Sequence, residues 1–209
     1  MSVTGIRRQA TLVGSIAVLA LWLACVPPTA AAAGGPAAAR ATAADAPAET
    51  GLRPLAELIV QRLLISDQVA AAKFGTGQPI DDPVREQQEL TAVAQRAGDL
   101  GLDVPSTVRF FSDQIAASKV VQKGLFRHWT QDPASAPTSR PDLGFIRAQL
   151  DQLTTELLGQ LVATEQLRDH QPLCTADLLA AGVEEELTHR LDAVHRHAFA
   201  VAARSVCVV

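Results

Sequence analysis

A set of permanent cations and neutral hydrogen-bond donors recurs at helical spacing through the middle of the chain. Its members are Arg62, Lys73, Arg85, Ser118, Gln122 and Arg147. Guanidinium groups bind carboxylates through paired hydrogen bonds, so this set suits a small molecule with two carboxylates. It also suits a reaction that needs no attacking group, only a confined reactive conformer and donors directed at developing negative charge. Electrostatics alone therefore predicts a pocket for a dicarboxylate and does not specify the reaction.

Ser118 and Gln122 interrupt an otherwise apolar stripe. The stripe advances in steps of four, three, four, three and four residues through Phe111, Ile115, Ser118, Gln122, Leu125 and Trp129. Such steps keep one face of an α-helix toward the core. A buried hydroxyl or amide costs about 1–3 kcal/mol if it is unpaired, so something must satisfy both groups. The pattern predicts a polar pocket inside a helical bundle.

Arg62 and Lys73 share one face of a predicted first helix over about 54–74. They are 11 residues apart, which is nearly three turns, or about 16 Å along the helix axis. Both side chains could reach a common point between them. A single Lys or Arg beside an apolar stripe usually extends to solvent, so this alternative stays open for each of them.

Capping residues predict where the next helices begin. The expected starts are marked by Asp82 with Pro83, by Asp103 with Pro105, and by Asp142. Aspartate accepts hydrogen bonds from the first free backbone amides, and proline fits the first helical turn. Capping alone would explain Asp82. An i,i+4 salt bridge would likewise explain Arg85 and Glu89 without any ligand.

The composition indicates an all-α fold, a single-domain helical bundle of about five to six helices. Ala, Leu, Gln, Glu and Arg dominate the predicted domain, and no alternating strand pattern or Gly-rich phosphate loop is present. The formal net charge of −4, with dispersed basic residues, argues against nucleic-acid binding.

Neither nucleophilic catalysis nor a metal is indicated. Ser118 has no base at helical spacing. The histidines are at positions 128, 170, 189, 195 and 197, where a solvated helix surface would account for them. His195 and His197 are two residues apart and therefore face different directions, which disfavours zinc.

The N-terminus has the features of a secretory signal peptide. Arg7 and Arg8 precede an apolar run over 10–26, and small residues follow Pro28. We expect a signal peptide over 1–33, a disordered Ala/Pro-rich leader over 34–50 and the helical domain over 51–209. An uncleaved anchor is the alternative, since about 17 apolar residues can just span a bilayer. Signal removal would leave no stable membrane span, and the protein would be secreted or periplasmic.

Cys174 and Cys207 remain after signal removal, and an oxidising compartment would pair them. A continuous helix between them would separate the sulfurs by about 50 Å, whereas a bridge needs Cα atoms about 4.4–6.8 Å apart. The segment must then form a hairpin, which we expect to begin after a cap at Thr175 and to reverse at Thr188 or Gly182. Two free thiols are the alternative.

The spacing of these residues resembles that of the all-α chorismate mutases. The shared pattern is Arg62 with Lys73 eleven residues later, Pro79–Ile80–Asp81–Asp82, Arg85–Glu86, and Phe111–x6–Ser118–x3–Gln122. The signal peptide, the cysteine pair and the proline-rich segment over 129–143 are similar to the secreted (gamma) subclass. The resemblance implies a cofactor-free Claisen rearrangement of chorismate to prephenate.

The resemblance also implies roles for individual residues. Lys73 and Gln122 would hydrogen-bond the ether oxygen of chorismate. Three arginines would hold the carboxylates, assisted by Ser118; they are Arg62, Arg85 and Arg147. The ring hydroxyl would be oriented by Asp82 and Glu86, and Glu89 joins the substrate-binding set where the best-known secreted pattern has Gln. Each protomer of an expected homodimer would contain a complete site.

Two other functions remain at this stage. A non-catalytic secreted helical protein could use the same pocket to bind a dicarboxylate, or could present a groove to a host partner. Ordinary surface charges on a bundle would require Arg62, Lys73, Ser118 and Gln122 all to be exposed.

Overall fold

The computed structural model describes residues 51–207, and all regular structure in that range is helical. The α-helices are α1 (Arg53–Lys73), α2 (Pro83–Asp99), α3 (Val104–Gln131), α4 (Leu143–Ala163), α5 (Glu165–Arg168), α6 (Gln171–His189) and α7 (Ala193–Ala202). The all-α bundle is confirmed. The described range has seven α-helices, one more than the upper expected number, and α5 is a single turn. The expected signal peptide and leader lie outside the described residues. Within residues 51–207, no helix is both long enough and apolar enough to cross a membrane.

Three helices begin where the aspartates predicted. Asp82 accepts a hydrogen bond from the Arg85 amide, and Asp103 accepts one from the Ser106 amide. Asp142 caps α4 in the same way. Because each carboxylate satisfies an amide that the helix itself cannot pair, these starts are fixed by local sequence.

α1 is the central helix of the bundle and contacts α3, α4, α6 and α7. Leu55, Ile59 and Leu63 of α1 are almost completely buried in the main hydrophobic core. Because α1 has neighbours on several sides, some of its polar residues must also enter the interior. Arg62 and Ser66 are buried for this reason, at 6% and 1% exposure.

The C-terminal hairpin is present, but its predicted boundaries are wrong. α6 begins at Gln171 rather than after Thr175, and the chain reverses at Arg190, which has a left-handed φ of 51°. Gly182 lies inside α6, where a Cβ would come within 2.8 Å of a Phe199 ring carbon. That glycine therefore allows close helix packing instead of a turn. The expected disulfide joins Cys174 to Cys207, with Cα atoms 5.8 Å apart.

His195 is not on a solvated surface, contrary to the sequence-based expectation. Its Nε2 lies 3.1 Å from Asp67 Oδ1 on α1, and its Nδ1 lies 2.9 Å from Asp192 Oδ1. The hydrogen bond with Asp67, supported by the one with Asp192, outweighs burial and raises the pKa of His195 from 6.5 to about 9. We call these three residues the His195 clamp, which ties α7 to α1.

Candidate active site

One cavity of about 420 Å³ brings together every polar residue that the sequence singled out for a ligand. It lies between α1, α2, α3 and α4, and its polar lining includes Arg62, Lys73, Asp82, Arg85, Glu86, Glu89, Ser118, Gln122 and Arg147. The volume is within the range typical of small-molecule sites. Arg62 and Gln122 are only 6% and 5% exposed, so the interpretation of these residues as ordinary surface charges is wrong.

Arg62 presents a buried guanidinium that its surroundings pair incompletely. Its Nη1 donates weakly to Thr154 Oγ1 at 3.5 Å, and its Nη2 lies 4.0 Å from Glu89 Oε2. The Nε–H has no hydrogen-bond partner among the described residues. Burial lowers the pKa of Arg62, while the charges of Glu89 and Asp151 raise it. An arginine so placed remains charged and has donors available for an anion.

Lys73 ends α1 at the opposite end of the cavity. Its ammonium donates to the Pro79 carbonyl at 3.0 Å, which occupies one of its three protons. Partial burial lowers the pKa of Lys73; the Asp82 charge opposes this shift, and the Arg147 charge adds to it. The amine therefore favours a ligand that brings negative charge to it.

A chain of hydrogen bonds crosses from α1 to α3 in the cavity wall. Ser66 Oγ lies 2.8 Å from Ser118 Oγ and 3.2 Å from the Arg62 carbonyl, and Gln122 Nε2 donates to Ser118 Oγ at 3.1 Å. Ser66 was not selected from the sequence as a functional residue. Its position four residues after Arg62 on an otherwise apolar face was the available signal.

The protons in this chain can be arranged in two ways. Ser66 has one proton and two acceptors within reach, the Arg62 carbonyl and Ser118 Oγ. When Ser66 donates to Ser118, the Ser118 hydroxyl is free to donate its own hydrogen bond into the cavity. The Gln122 amide keeps a second N–H beyond its bond to Ser118, and its Oε1 is buried without a partner in the described structure.

The acidic residues of the cavity differ in how firmly they are held. Glu86 Oε2 binds Lys119 Nζ at 2.9 Å, and Glu86 Oε1 accepts from the Asp82 amide at 3.2 Å. Lys119 also lines the cavity, a cation that sequence reasoning missed. Glu89 instead faces Arg85, at 3.3 Å, in the predicted i,i+4 salt bridge.

Arg147 supplies a cation from α4. It is exposed, in contrast to Arg62, and lines the cavity together with its apolar neighbours Ile146 and Leu150. Its charge lowers the pKa of Lys73, so the two cations act on a common space. A dianion placed between them would relieve this repulsion.

A second, smaller cavity of about 210 Å³ adjoins the first. Arg62, Arg85 and Glu89 line both of them. The smaller cavity continues between α2, α3 and α4, where Arg96 and Asp151 contribute to its wall. The Glu89 side chain therefore lies at the boundary between the two cavities.

The arrangement is suited to holding an anion rather than a metal. Within residues 51–207, no group of three or more His, Cys, Asp or Glu side chains is placed to bind a metal ion. Cations approach the cavity from all four of its helices, and the neutral donors Ser118 and Gln122 of α3 lie among them. Such fixed donors can stabilise negative charge that develops inside a shielded cavity, without any nucleophile.

Comparisons with known proteins agree with this chemistry. Residues 53–123 match the family model described as Chorismate mutase type II. The chain is 38% identical to the secreted chorismate mutase of Mycolicibacterium smegmatis, over 80% of this chain and 90% of that protein. It is 33% identical to the secreted chorismate mutase of Mycobacterium tuberculosis, over 75% of this chain and 80% of that protein. The crystal structure of a chorismate mutase from Burkholderia phymatum matches with a TM-score of 0.71 at 35% identity, covering 76% of this chain and 96% of that one.

Proposed function

Since the chain belongs to the chorismate mutase family and isomerises chorismate to prephenate, we propose that the 420 Å³ cavity is its active site. The observation that carries this proposal is the meeting of Lys73, Gln122 and Arg62 in one cavity with donors left unused. The alternative of a non-catalytic binding protein is not favoured, because the family match and the cation set point the same way.

The proposed reaction needs no covalent help from the protein. In the Claisen rearrangement the ether C–O bond breaks while a new C–C bond forms, and negative charge grows on the ether oxygen. Lys73 and the free N–H of Gln122 donate to that oxygen, so they bind the transition state more strongly than the substrate. Confinement of the folded substrate conformer supplies the remainder of the acceleration.

The two carboxylates of chorismate are bound by the arginines. Arg62 and Arg85 approach from α1 and α2, and Arg147 approaches from α4. Ser118 assists at one carboxylate when Ser66 donates its hydrogen bond to Ser118. The ring hydroxyl is oriented by Glu86 and by the backbone of Asp82, which already contact each other.

The direct test is consumption of chorismate by the purified protein. The substrate should disappear and prephenate should accumulate in equal amount, without added metal or cofactor. Binding of chorismate without turnover would instead support the non-catalytic alternative. No binding at all would remove the cavity from consideration.

We further propose that the protein is exported. The relatives from M. smegmatis and M. tuberculosis are named secreted chorismate mutases. In this proposal residues 1–33 are removed as a signal peptide, 34–50 form a leader, and 51–209 are the catalytic domain. N-terminal sequencing of protein recovered outside the cytoplasm tests the cleavage, and an intact Arg7–Arg8 segment would contradict it.

A homodimer with one complete site in each subunit is the proposed assembly. The polar residues that the cavity needs all come from a single chain. α6 exposes Leu179, Val183 and Leu187 at intervals of four residues, a surface that a second copy could cover. Light scattering of the purified protein distinguishes one chain from two, and Val183→Glu should shift the mass toward the monomer if α6 is the interface.

A further inference from the structure

Glu89 occupies the space between two of the arginines assigned to substrate binding. Its Oε1 lies 3.3 Å from Arg85 Nε, and its Oε2 lies 4.0 Å from Arg62 Nη2. The two oxygens of one carboxylate are thus shared between guanidinium groups on different helices. A substrate carboxylate clamped by the same two arginines would take up this arrangement.

We propose that Glu89 is an internal counterion that holds the carboxylate position of the free enzyme and is displaced when substrate binds. The inference rests on the proposed role of Arg62 and Arg85 in binding chorismate. Glu89 then sets the affinity for the dianion: each molecule that binds must first break the ion pairs of Glu89.

Burial explains why a counterion is placed here. The guanidinium of Arg62 is shielded from water, and an unpaired buried charge is strongly destabilising. Glu89 is the largest charge contribution that favours the protonated form of Arg62. Glu89 therefore stabilises the enzyme without substrate and, by the same contacts, opposes the binding of a substrate carboxylate.

The surroundings allow Glu89 to withdraw. The contact with Arg62, at 4.0 Å, is loose, and the 210 Å³ cavity begins directly beside Glu89. Arg96 lines that smaller cavity two turns further along α2, so a displaced carboxylate has another cation on its own side. Glu86, in contrast, is held by both Lys119 and the Asp82 amide and stays in place.

Glu89→Gln is the decisive variant because it keeps the shape and removes the charge. We expect the KM for chorismate to fall about five- to tenfold while kcat stays within about twofold, because the carboxylates interact similarly in ground and transition states. Inhibition by prephenate should strengthen by a similar factor. A KM that rises would show that Glu89 positions the arginines, and an unchanged KM would show that it does not compete; either result overturns the proposal.

The matched control is Asp151→Asn. Asp151 also acts on Arg62 through its charge and lines only the smaller cavity, so its replacement should change KM by less than about twofold. An equal fall in KM would mean that any lost negative charge suffices, which contradicts displacement. If Glu89→Gln fails to fold, the shorter Glu89→Asp should still lower KM, and an increase there would count against the proposal.

Failure of the proposed function would look different. It would appear as no chorismate turnover by the unmodified protein, whatever residue 89 is. Calorimetric binding of chorismate to the unmodified protein and to Glu89→Gln would then still compare their affinities. Equal affinities in that experiment would overturn the counterion proposal separately.

Discussion

α1 contacts buried charged or ionisable groups on two of its sides, and these groups are paired very differently. In the His195 clamp both ring nitrogens have carboxylate partners at 2.9 and 3.1 Å. Five residues before Asp67, Arg62 Nε has no partner in the described structure, and Arg62 Nη2 is 4.0 Å from Glu89 Oε2. Arg62 and Asp67 are close together on the same helix, so the contrast does not depend on distance along the chain. Complete pairing belongs to the interface between helices, and incomplete pairing belongs to the cavity.

The direction of the pKa shifts separates the same two regions. Carboxylates raise the pKa of His195 to about 9, so the clamp favours the charged form. Burial lowers the pKa values of Arg62 and Lys73, so the empty cavity disfavours the charges that it contains. A dianionic substrate corrects that imbalance, whereas nothing needs to bind at the clamp. The comparison teaches that unsatisfied charge, more than burial itself, marks the functional side of α1.

The largest expected effect is on the cavity side. Lys73→Ala should lower kcat/KM at least about 100-fold, because it removes a donor to the ether oxygen in the transition state. Lys123→Ala is the control, since Lys123 is exposed and its ion pair with Asp81 lies at the surface. Steady-state kinetics with both variants, together with thermal melts, provides the measurement. Unchanged turnover in a folded Lys73→Ala protein would remove Lys73 from the mechanism.

The clamp should instead control stability. The pKa of His195 is raised on folding, so its contribution is fully present below pH 6.5 and is lost as the pH rises through about 9. Because Asp67 and Asp192 are 42% and 63% exposed, water weakens the interaction, and we expect a loss of about 1–2 kcal/mol.

Denaturant titrations between pH 6 and 9 measure this loss. Asp67→Asn removes the main cause of the shift, so its unfolding free energy should depend less on pH than that of the unmodified protein. Its kcat/KM should change little at pH 6. An activity loss as large as that of Lys73→Ala would break the distinction between the two sides of α1.

A smaller effect is expected at Ser66, which precedes Asp67 of the clamp and bonds Ser118 of the cavity. Ser66→Ala should lower kcat/KM about three- to tenfold, because Ser118 loses the hydroxyl that fixes its own proton. The change should fall mainly on KM, since Ser118 is assigned to a carboxylate. Thr107→Val removes another buried hydroxyl, one that does not line the cavity, and should leave KM unchanged. Equal effects from the two variants would make Ser66 merely structural.

The smallest expected effect is that of pH on catalysis between about pH 5 and 8. Gln122 is a neutral amide that donates at any pH, so kcat/KM should vary little over this range. At alkaline pH the rate should fall before an ordinary lysine titrates, because burial lowers the pKa of Lys73.

Gln122→Glu provides the comparison for that profile. Its carboxyl must be protonated to donate, so kcat/KM should rise as the pH falls. A steep loss of kcat/KM between pH 5 and 8 in the unmodified protein, preserved in Glu89→Gln, would contradict the assignment of Gln122.

Local chemistry made the starts of α2, α3 and α4 predictable. Asp82, Asp103 and Asp142 bond amides only three residues away, so neighbouring residues suffice to place those starts. The C-terminal hairpin was placed less well. Its reversal uses Arg190 in a left-handed conformation that Gly or Asn usually adopts, and Gly182 serves packing instead. Tertiary packing explains the position of Gly182.

The site was predictable to a different extent. Charge and spacing alone led to a dicarboxylate pocket, and the resemblance to a family supplied the reaction and the individual roles. Ser66 and Lys119 were missed because their partners lie on other helices, Ser118 on α3 and Glu86 on α2. The burial of His195 was missed for the same reason, since Asp67 is 128 residues away along the chain.

The bond between Cys174 and Cys207 acts even when the fold is lost. It closes a segment with a sequence separation of 33, and a loop of that size removes about 4 kcal/mol of chain entropy from the unfolded state. α7 packs on α3, the helix that carries Ser118 and Gln122. An unfolded but oxidised chain thus keeps α6 and α7 as neighbours, and recovery after denaturation begins with that pair already joined. Such retained proximity shortens the conformational search that refolding requires.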